Sequence, residues 1–351
     1  MSTTFLIGAG ASFHCLPVVS KIPERYSLFV ERYREVMEAK YGSKYLLVNT
    51  DIDIDPDDSH ADQYDLYKTL KYFETEIHNH LSIDTYAKKL YLSGEKEQLR
   101  YYKFCLSLFF TFEQVLVGPD SRYDAFFASV LGSRIDDFPE GLKILSWNYD
   151  FQFEIAYASY LGVPSIEQIG AGLPVVTASN VGRLENLASK FHIIKLNSST
   201  EVWDTDKEGT EYFLNSRDYR LRRKFFIDDM KLTGLLFNSY KENRDSTTLS
   251  FAWEYQDSKG TQTVIDHAAF STKDTKTLVV IGYSFPLVNR LIDKMIVDNM
   301  DRLEKIYIQD PLAAQLIEKV SHFCVHREDG RSVTLIPITD TSQFFLPYEL
   351  R

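Results

Sequence analysis

The stretch TTFLIGAGAS, Thr3–Ser12, decides the reading of the fold. Five β-branched and apolar residues run straight into glycines at positions 8 and 10, which is how a buried strand enters a tight turn. Glycines there let the backbone approach a pyrophosphate and turn amide hydrogens towards its oxygens, although a plain tight turn uses the same residues. The full fingerprint G-x-G-x-x-G needs glycine at Phe13, and no G-K-[ST] phosphate loop occurs, so neither standard motif is satisfied.

Outward from that turn, short apolar strands at Lys143–Trp147, Phe191–Leu196, Lys276–Ile281 and Lys305–Gln309 are separated by helices. Two helices follow strands directly, Phe151–Tyr160 and Pro286–Met300, the second with Val288, Leu291, Ile292, Met295 and Ile296 on one stripe. The alternation predicts an α/β fold, a Rossmann-like parallel sheet flanked by helices, with the ligand at the strand ends. Between Pro23 and Phe138 the chain reads as a large helical insertion. Tyr26, Phe29, Val30, Tyr33, Val36 and Met37 recur at helical spacing, as do Leu66, Leu70, Phe73, Ile77 and Leu81. Ser82 is placed to cap a further helix, and Glu95–Val117 is apolar enough to be buried on most faces. Trp203–Gln262 reads as a variable insertion with a helix at Ser216–Phe226 and a strand at Leu249–Glu254. A single domain over residues 1–351 carrying both insertions is expected.

The chain is 351 residues long, 44% hydrophobic and 25% charged, which suffices for a core and excludes a mainly disordered chain. Its 39 basic against 50 acidic residues give a net charge of −11, which argues against a surface built for nucleic acid. The basic cluster Arg217, Arg220, Arg222, Arg223 and Lys224 reads as a solvated helix face, with nucleic-acid contact as the alternative. Cys15, Cys105 and Cys324 form no CxxC pair, so no disulfide framework or zinc ribbon can be written, and a reducing cytoplasm is expected. The apolar run Phe104–Phe112 is far shorter than the ~20 residues that span a bilayer, so no membrane association is expected. The acidic tract Asp51–Asp62 has Pro56 where a calcium loop requires glycine, and His78 and His80 lack partners at ligand spacing; no metal is expected.

Three further motifs lie at strand ends. WNYD, Trp147–Asp150, sets Asn148 and Asp150 before a helix, where they serve ligand chemistry or cap that helix. KLNSS, Lys195–Ser199, sets Asn197 and two hydroxyls beyond a strand, as a ligand loop or a turn. GYSFP, Gly282–Pro286, lacks the last glycine of a hydrolase elbow; it reads as a second phosphate turn or a capped helix start.

Taken in order, GAGAS, SIDTYA at Ser82–Ala87, WNYD, IIKL with its NSS loop, and VVIGYSF resemble the bacterial sirtuin-like family over about Thr3–Asp310. The resemblance implies an NAD-consuming protein that cleaves NAD to nicotinamide and ADP-ribose in antiphage defence. It further implies a homo-oligomer and a HerA-like ATPase as partner. Gly8, Ala9, Gly10, Ala11 and Ser12 match the family's pyrophosphate loop, Gly282 and Ser284 its second phosphate loop, and Asn148 with Asp150 its catalytic N-Y-D. Gln309 and Asp310 fall where relatives contact the adenosine ribose, and Asn289 at a helix position that relatives fill with asparagine.

Asn197 departs from the family, standing where active relatives carry the histidine that acts as general base. Nicotinamide leaves as a neutral pyridine, and attack on a cation-like sugar centre asks little of a base, so cleavage does not require that histidine. Asp150, His14 or His192 could accept the proton instead. Two readings therefore stand: an NAD hydrolase, or a degenerate sensor or regulatory subunit that binds NAD or ADP-ribose without turnover.

Overall fold

The structure, a computed structural model, describes residues 2–42, 61–163, 166–181, 190–200, 202–204, 245–255, 258–324 and 332–350. It is an α/β protein with a Rossmann-like sheet. Seven strands, all parallel, run in the order β3-β4-β2-β1-β7-β8-β9. These are β1 (Thr3–Ile7), β2 (Leu142–Ser146), β3 (Val175–Val176), β4 (His192–Lys195), β7 (Thr277–Ile281), β8 (Lys305–Gln309) and β9 (Thr334–Ile338). The central strands β1, β2 and β7 are buried at every position, as a parallel sheet covered on both faces requires.

Side-chain alternation along these strands divides the core in two. Phe5, Ile7, Ile144, Ile193, Val279 and Ile281 face one side and pack with α5 (Ser121–Val130) and α6 (Gln152–Leu161) through Phe126, Phe127, Phe153 and Tyr157. Leu6, Leu145, Ile194, Leu278 and Val280 face the other side. There they meet α7 (Lys259–Ser271), α8 (Arg290–Asp298) and α9 (Ala313–Cys324) through Val264, Ile265, Ile292, Ile296 and Val320. The covering helices thus change face between β1 and β7. In an open α/β sheet that switch point opens a crevice at the carboxyl ends of the strands.

The chain divides into two compact units, the sheet unit being residues 1–16, 119–199 and 249–351. The second comprises residues 17–118 and 200–248. It contains α1 (Ile22–Tyr41), α2 (Ala61–Asn79), α3 (Ile83–Leu92) and α4 (Lys96–Val117), and the antiparallel pair β5 (Val202–Asp204) and β6 (Asp245–Thr247). Its core is aromatic, with Tyr26 against Phe109 at 5.3 Å and Phe73 against Tyr102 at 5.0 Å between ring centroids. Ser82 caps α3 by accepting from the Thr85 amide at 3.1 Å. No helix among the described residues is long and apolar enough to cross a membrane.

Several sequence expectations change. Helix α5, grouped with the helical insertion by its spacing, packs on the sheet. Leu81 lies past the end of α2 and is 91% exposed, and Leu291 is 83% exposed although it shares the spacing of Ile292 and Ile296. A 3-10 turn at Leu287–Asn289 precedes α8, whose buried face is Ile292, Asp293, Ile296 and Val297, and Leu291 lies off that face. The strand expected at Leu249–Glu254 is a coil followed by a 3-10 turn, and the strand there is β6 instead. Strand β9 escaped detection because Pro337 argues against a strand; at the sheet edge one side of the ladder is unpaired and proline is tolerated. The helix at Ser216–Phe226, the basic cluster within it, residues 51–60 of the acidic tract and the Cys324 side chain lie outside the described residues.

His192 begins β4 fully buried, donating Nδ1–H to the Lys190 carbonyl at 2.8 Å, with the His267 ring centroid 5.4 Å away. Burial, with help from His267 and Lys143, pushes its pKa down to about 4. The native state holds it neutral while the unfolded chain protonates near 6.5. Stability is therefore full above about pH 6.5 and is lost as pH falls towards 4, by about 3 kcal/mol in all. Urea unfolding at stepped pH should show this loss in the wild type and a shallower slope in His192→Gln.

Candidate functional site

Strands β1 and β7 are neighbours with Ile7 opposite Ile281, so the turns that follow them start side by side. The Gly8 amide donates to the Ile281 carbonyl at 3.0 Å and the Gly10 amide to the Gly282 carbonyl at 2.9 Å. The turns touch backbone to backbone. A Cβ on Gly8 would stand 2.7 Å from the Gly282 oxygen and Tyr283 Cα, and one on Gly10 would stand 2.8 Å from Gly282 Cα. Gly282, at φ +59°, would bring a Cβ within 2.4 Å of the Ala11 nitrogen. Close approach of main chain to main chain thus accounts for all three glycines. The amides of Gly8, Gly10 and Ala11 already meet protein carbonyls, so any pyrophosphate would draw on other donors of this loop.

Ser12 ends the 3-10 turn Ala9–Ser12 that follows Gly8. Its Oγ donates to Asp150 Oδ2 at 2.7 Å, receives Asn148 Nδ2 at 3.2 Å and lies 2.7 Å from Tyr123 Oη. One donor and two acceptor positions are all that a hydroxyl has, and each is used. The glycine loop, the β2 turn and α5 are thereby joined at one atom. Asn148 is 7% exposed, and its Oδ1 meets no donor among the described residues. It does not cap α6; Asp150 serves that end by accepting the Gln152 amide at 3.2 Å.

The Asp150 carboxyl is buried, and desolvation raises its pKa against the opposing pull of Ser12 and the Lys195 charge. Both of its oxygens face protein donors, so Asp150 acts as an anchor rather than as a base turned towards a ligand. Lys195 Nζ donates to the Asp150 carbonyl at 2.6 Å, pairs with Glu154 and lies 4.1 Å from the Phe151 ring centroid.

Asn197 gives Nδ2 to the Trp147 carbonyl at 3.1 Å, and its own carbonyl accepts from the Ser250 amide at 3.2 Å. The KLNSS segment does turn here: the Ser198 amide returns to the Lys195 carbonyl, with Ser198 at φ +60°. On the far side of the Gly282 turn, Tyr283 donates to Asp293 at 2.9 and 3.0 Å and accepts from Asn289 at 3.2 Å. Burial pushes the Asp293 pKa up to about 8. The Tyr283 ring stacks on Trp147 at 5.8 Å, which links the β7 and β2 turns across the switch point.

Other candidates are placed differently. Gln309 gives Nε2 to the carbonyls of Asp340 and Gln343, both at 2.6 Å, and its Oε1 accepts the Phe345 amide. Its side chain ties the C-terminal segment to β8 and has no group left for a ribose. Asp310 accepts the Leu312 amide in a turn, and Ser284 is exposed. His14 is exposed against Phe13, and His192 lies at the amino end of β4, opposite Asn197. His192 is thus at the far end of the strand from Asn148. Among the described residues no group of three metal-ligating side chains occurs. Asp120, Arg122, Tyr123, Lys195, Tyr283 and Asp293 went unseen as site residues. They belong to no linear motif, apart from Lys195 and Tyr283 inside motifs read for their neighbours.

No family model matches the chain, and no curated protein matches it. The family resemblance therefore rests on the motifs of this sequence alone.

Gly282→Ala should lower stability by about 3 kcal/mol or more, because a left-handed residue gains a side chain with backbone 2.4 Å away. A thermal melt near that of the wild type would show that the two turns can separate freely.

Proposed function

We propose that the chain hydrolyses NAD to nicotinamide and ADP-ribose. The observation that carries this reading is Asn148, buried beyond the carboxyl end of β2, next to the switch point, and aimed by the hydroxyl of Ser12 from the glycine loop. The two glycine turns begin side by side at the carboxyl ends of β1 and β7, where an open α/β sheet holds its ligand. NAD would supply a glycosidic bond with a neutral leaving group, so the protein has chiefly to orient the nicotinamide ribose and a water. Asn148 Oδ1 and Nδ2 suit that task. Asp150 holds Ser12, and through it Asn148, in place.

On this reading the substrate pool is cytoplasmic NAD and the setting is antiphage defence. A homo-oligomer or a HerA-like ATPase would restrain an otherwise toxic activity. The second reading, an NAD or ADP-ribose sensor, is favoured by Asn197, whose amide is engaged by the Trp147 carbonyl where relatives place a base.

Purified protein incubated with NAD and resolved by chromatography should release nicotinamide and ADP-ribose, with at least a ~100-fold loss in Asn148→Ala. Turnover retained in Asn148→Ala would sink the assignment. Binding without turnover in the wild type, with activity gained in Asn197→His, would favour the sensor.

A further inference from the structure

We propose that Arg122 is a positioning residue that sets the geometry of the glycine loop, an inference that rests on the reading of that loop as the seat of a pyrophosphate. Arg122 is the second residue of α5 and is 3% exposed. Its Nη2 donates to the Ala11 carbonyl at 2.7 Å and reaches the Gly10 carbonyl at 3.5 Å. The guanidinium is sandwiched between the Phe13 and Phe344 rings, 4.6 and 5.3 Å from their centroids, and donates through Nη1 to the Thr341 carbonyl. Asp120, itself buried, balances the charge, with Nη2 to Oδ2 at 2.6 Å and Nε to Oδ1 at 3.0 Å.

In a trans peptide the carbonyl and the following amide point in opposite directions. Holding the Gly10 and Ala11 carbonyls on the guanidinium therefore turns the Ala11 and Ser12 amides to the other side of the loop. A cation on the carbonyl oxygens also polarises those peptides, which makes their amides stronger donors. The Ala11 amide meets Gly8 and Ser12 closes the same 3-10 turn Ala9–Ser12, so Arg122 sets the pitch of that turn as a whole and with it the approach open to an incoming anion. The same contact sets the start of the residue whose hydroxyl aims Asn148. Lysine cannot replace this arrangement, because it lacks the planar fork that serves carbonyls, carboxylate and two rings together.

The test compares wild type, Arg122→Lys and the paired Asp120→Asn/Arg122→Gln, which leaves no buried carboxylate uncompensated. Hydrogen exchange of the ligand-free proteins should rise about tenfold or more in residues 8–16 with β1, β2 and β7 unchanged. ADP-ribose affinity by calorimetry should weaken at least about tenfold. Unchanged exchange in both variants overturns the proposal, and so does a loosened loop with unchanged ADP-ribose affinity. If the wild type binds neither NAD nor ADP-ribose, the hydrolase reading fails; exchange in the ligand-free proteins then supports or overturns the role of Arg122 by itself.

Discussion

Two turns pass each other at the top of β1 and β7 with no room for a side chain at their points of contact. Gly8, Gly10 and Gly282 are in backbone contact, and a single Cβ on any of them would fall within 3 Å of main-chain atoms. That constraint places both turns at the point where the covering helices change face. It also fixes where Ser12 emerges, four residues beyond the first glycine. From Ser12 the order spreads to Asn148 and Asp150 on the next strand and to Tyr123 on α5. The place of the site is thus a consequence of sheet topology, and the approach of its two turns a consequence of glycine.

Around this contact the sheet unit buries several polar and charged groups. Lys195 with Glu154, Arg122 with Asp120, and Asp293 with Tyr283 all lie at or near the carboxyl end of the strands. In a low-dielectric interior such groups are tolerated only when paired, and breaking a pair costs more than the pair contributes. Lys195 on β4 meets Glu154 on α6, and Tyr283 beyond β7 meets Asp293 on α8, so these two pairs pin one element to another, while Asp120 and Arg122 share the start of α5. The effect is rigidity where a ligand would have to be oriented.

The chemistry available is correspondingly one of orientation. Asn148 offers an amide whose carbonyl oxygen meets no donor among the described residues, Asp150 is engaged on both oxygens, and Asn197 is held by a main-chain carbonyl. A reaction that needs strong proton abstraction would be poorly served by this set. One whose leaving group departs neutral, at a centre that develops positive charge, asks mainly for placement and exclusion of water.

Much of this was legible in the sequence. The strands β1, β2, β4, β7 and β8 show as apolar runs because a parallel sheet is buried on both faces, and the glycines mark the turn because no other residue fits there. By itself the sequence determined the fold class, the strand-end position of WNYD and KLNSS, and the asparagine at position 197. Only the tertiary structure decided which groups meet. Arg122 reaches Ala11, Gln309 turns to Asp340 and Gln343 instead of a ligand, and Asp150 answers Ser12 across 138 residues of chain. Local pattern records which way a residue faces. Partners separated by a hundred residues are chosen by strand order and helix packing, and those follow from burying the whole sheet at once.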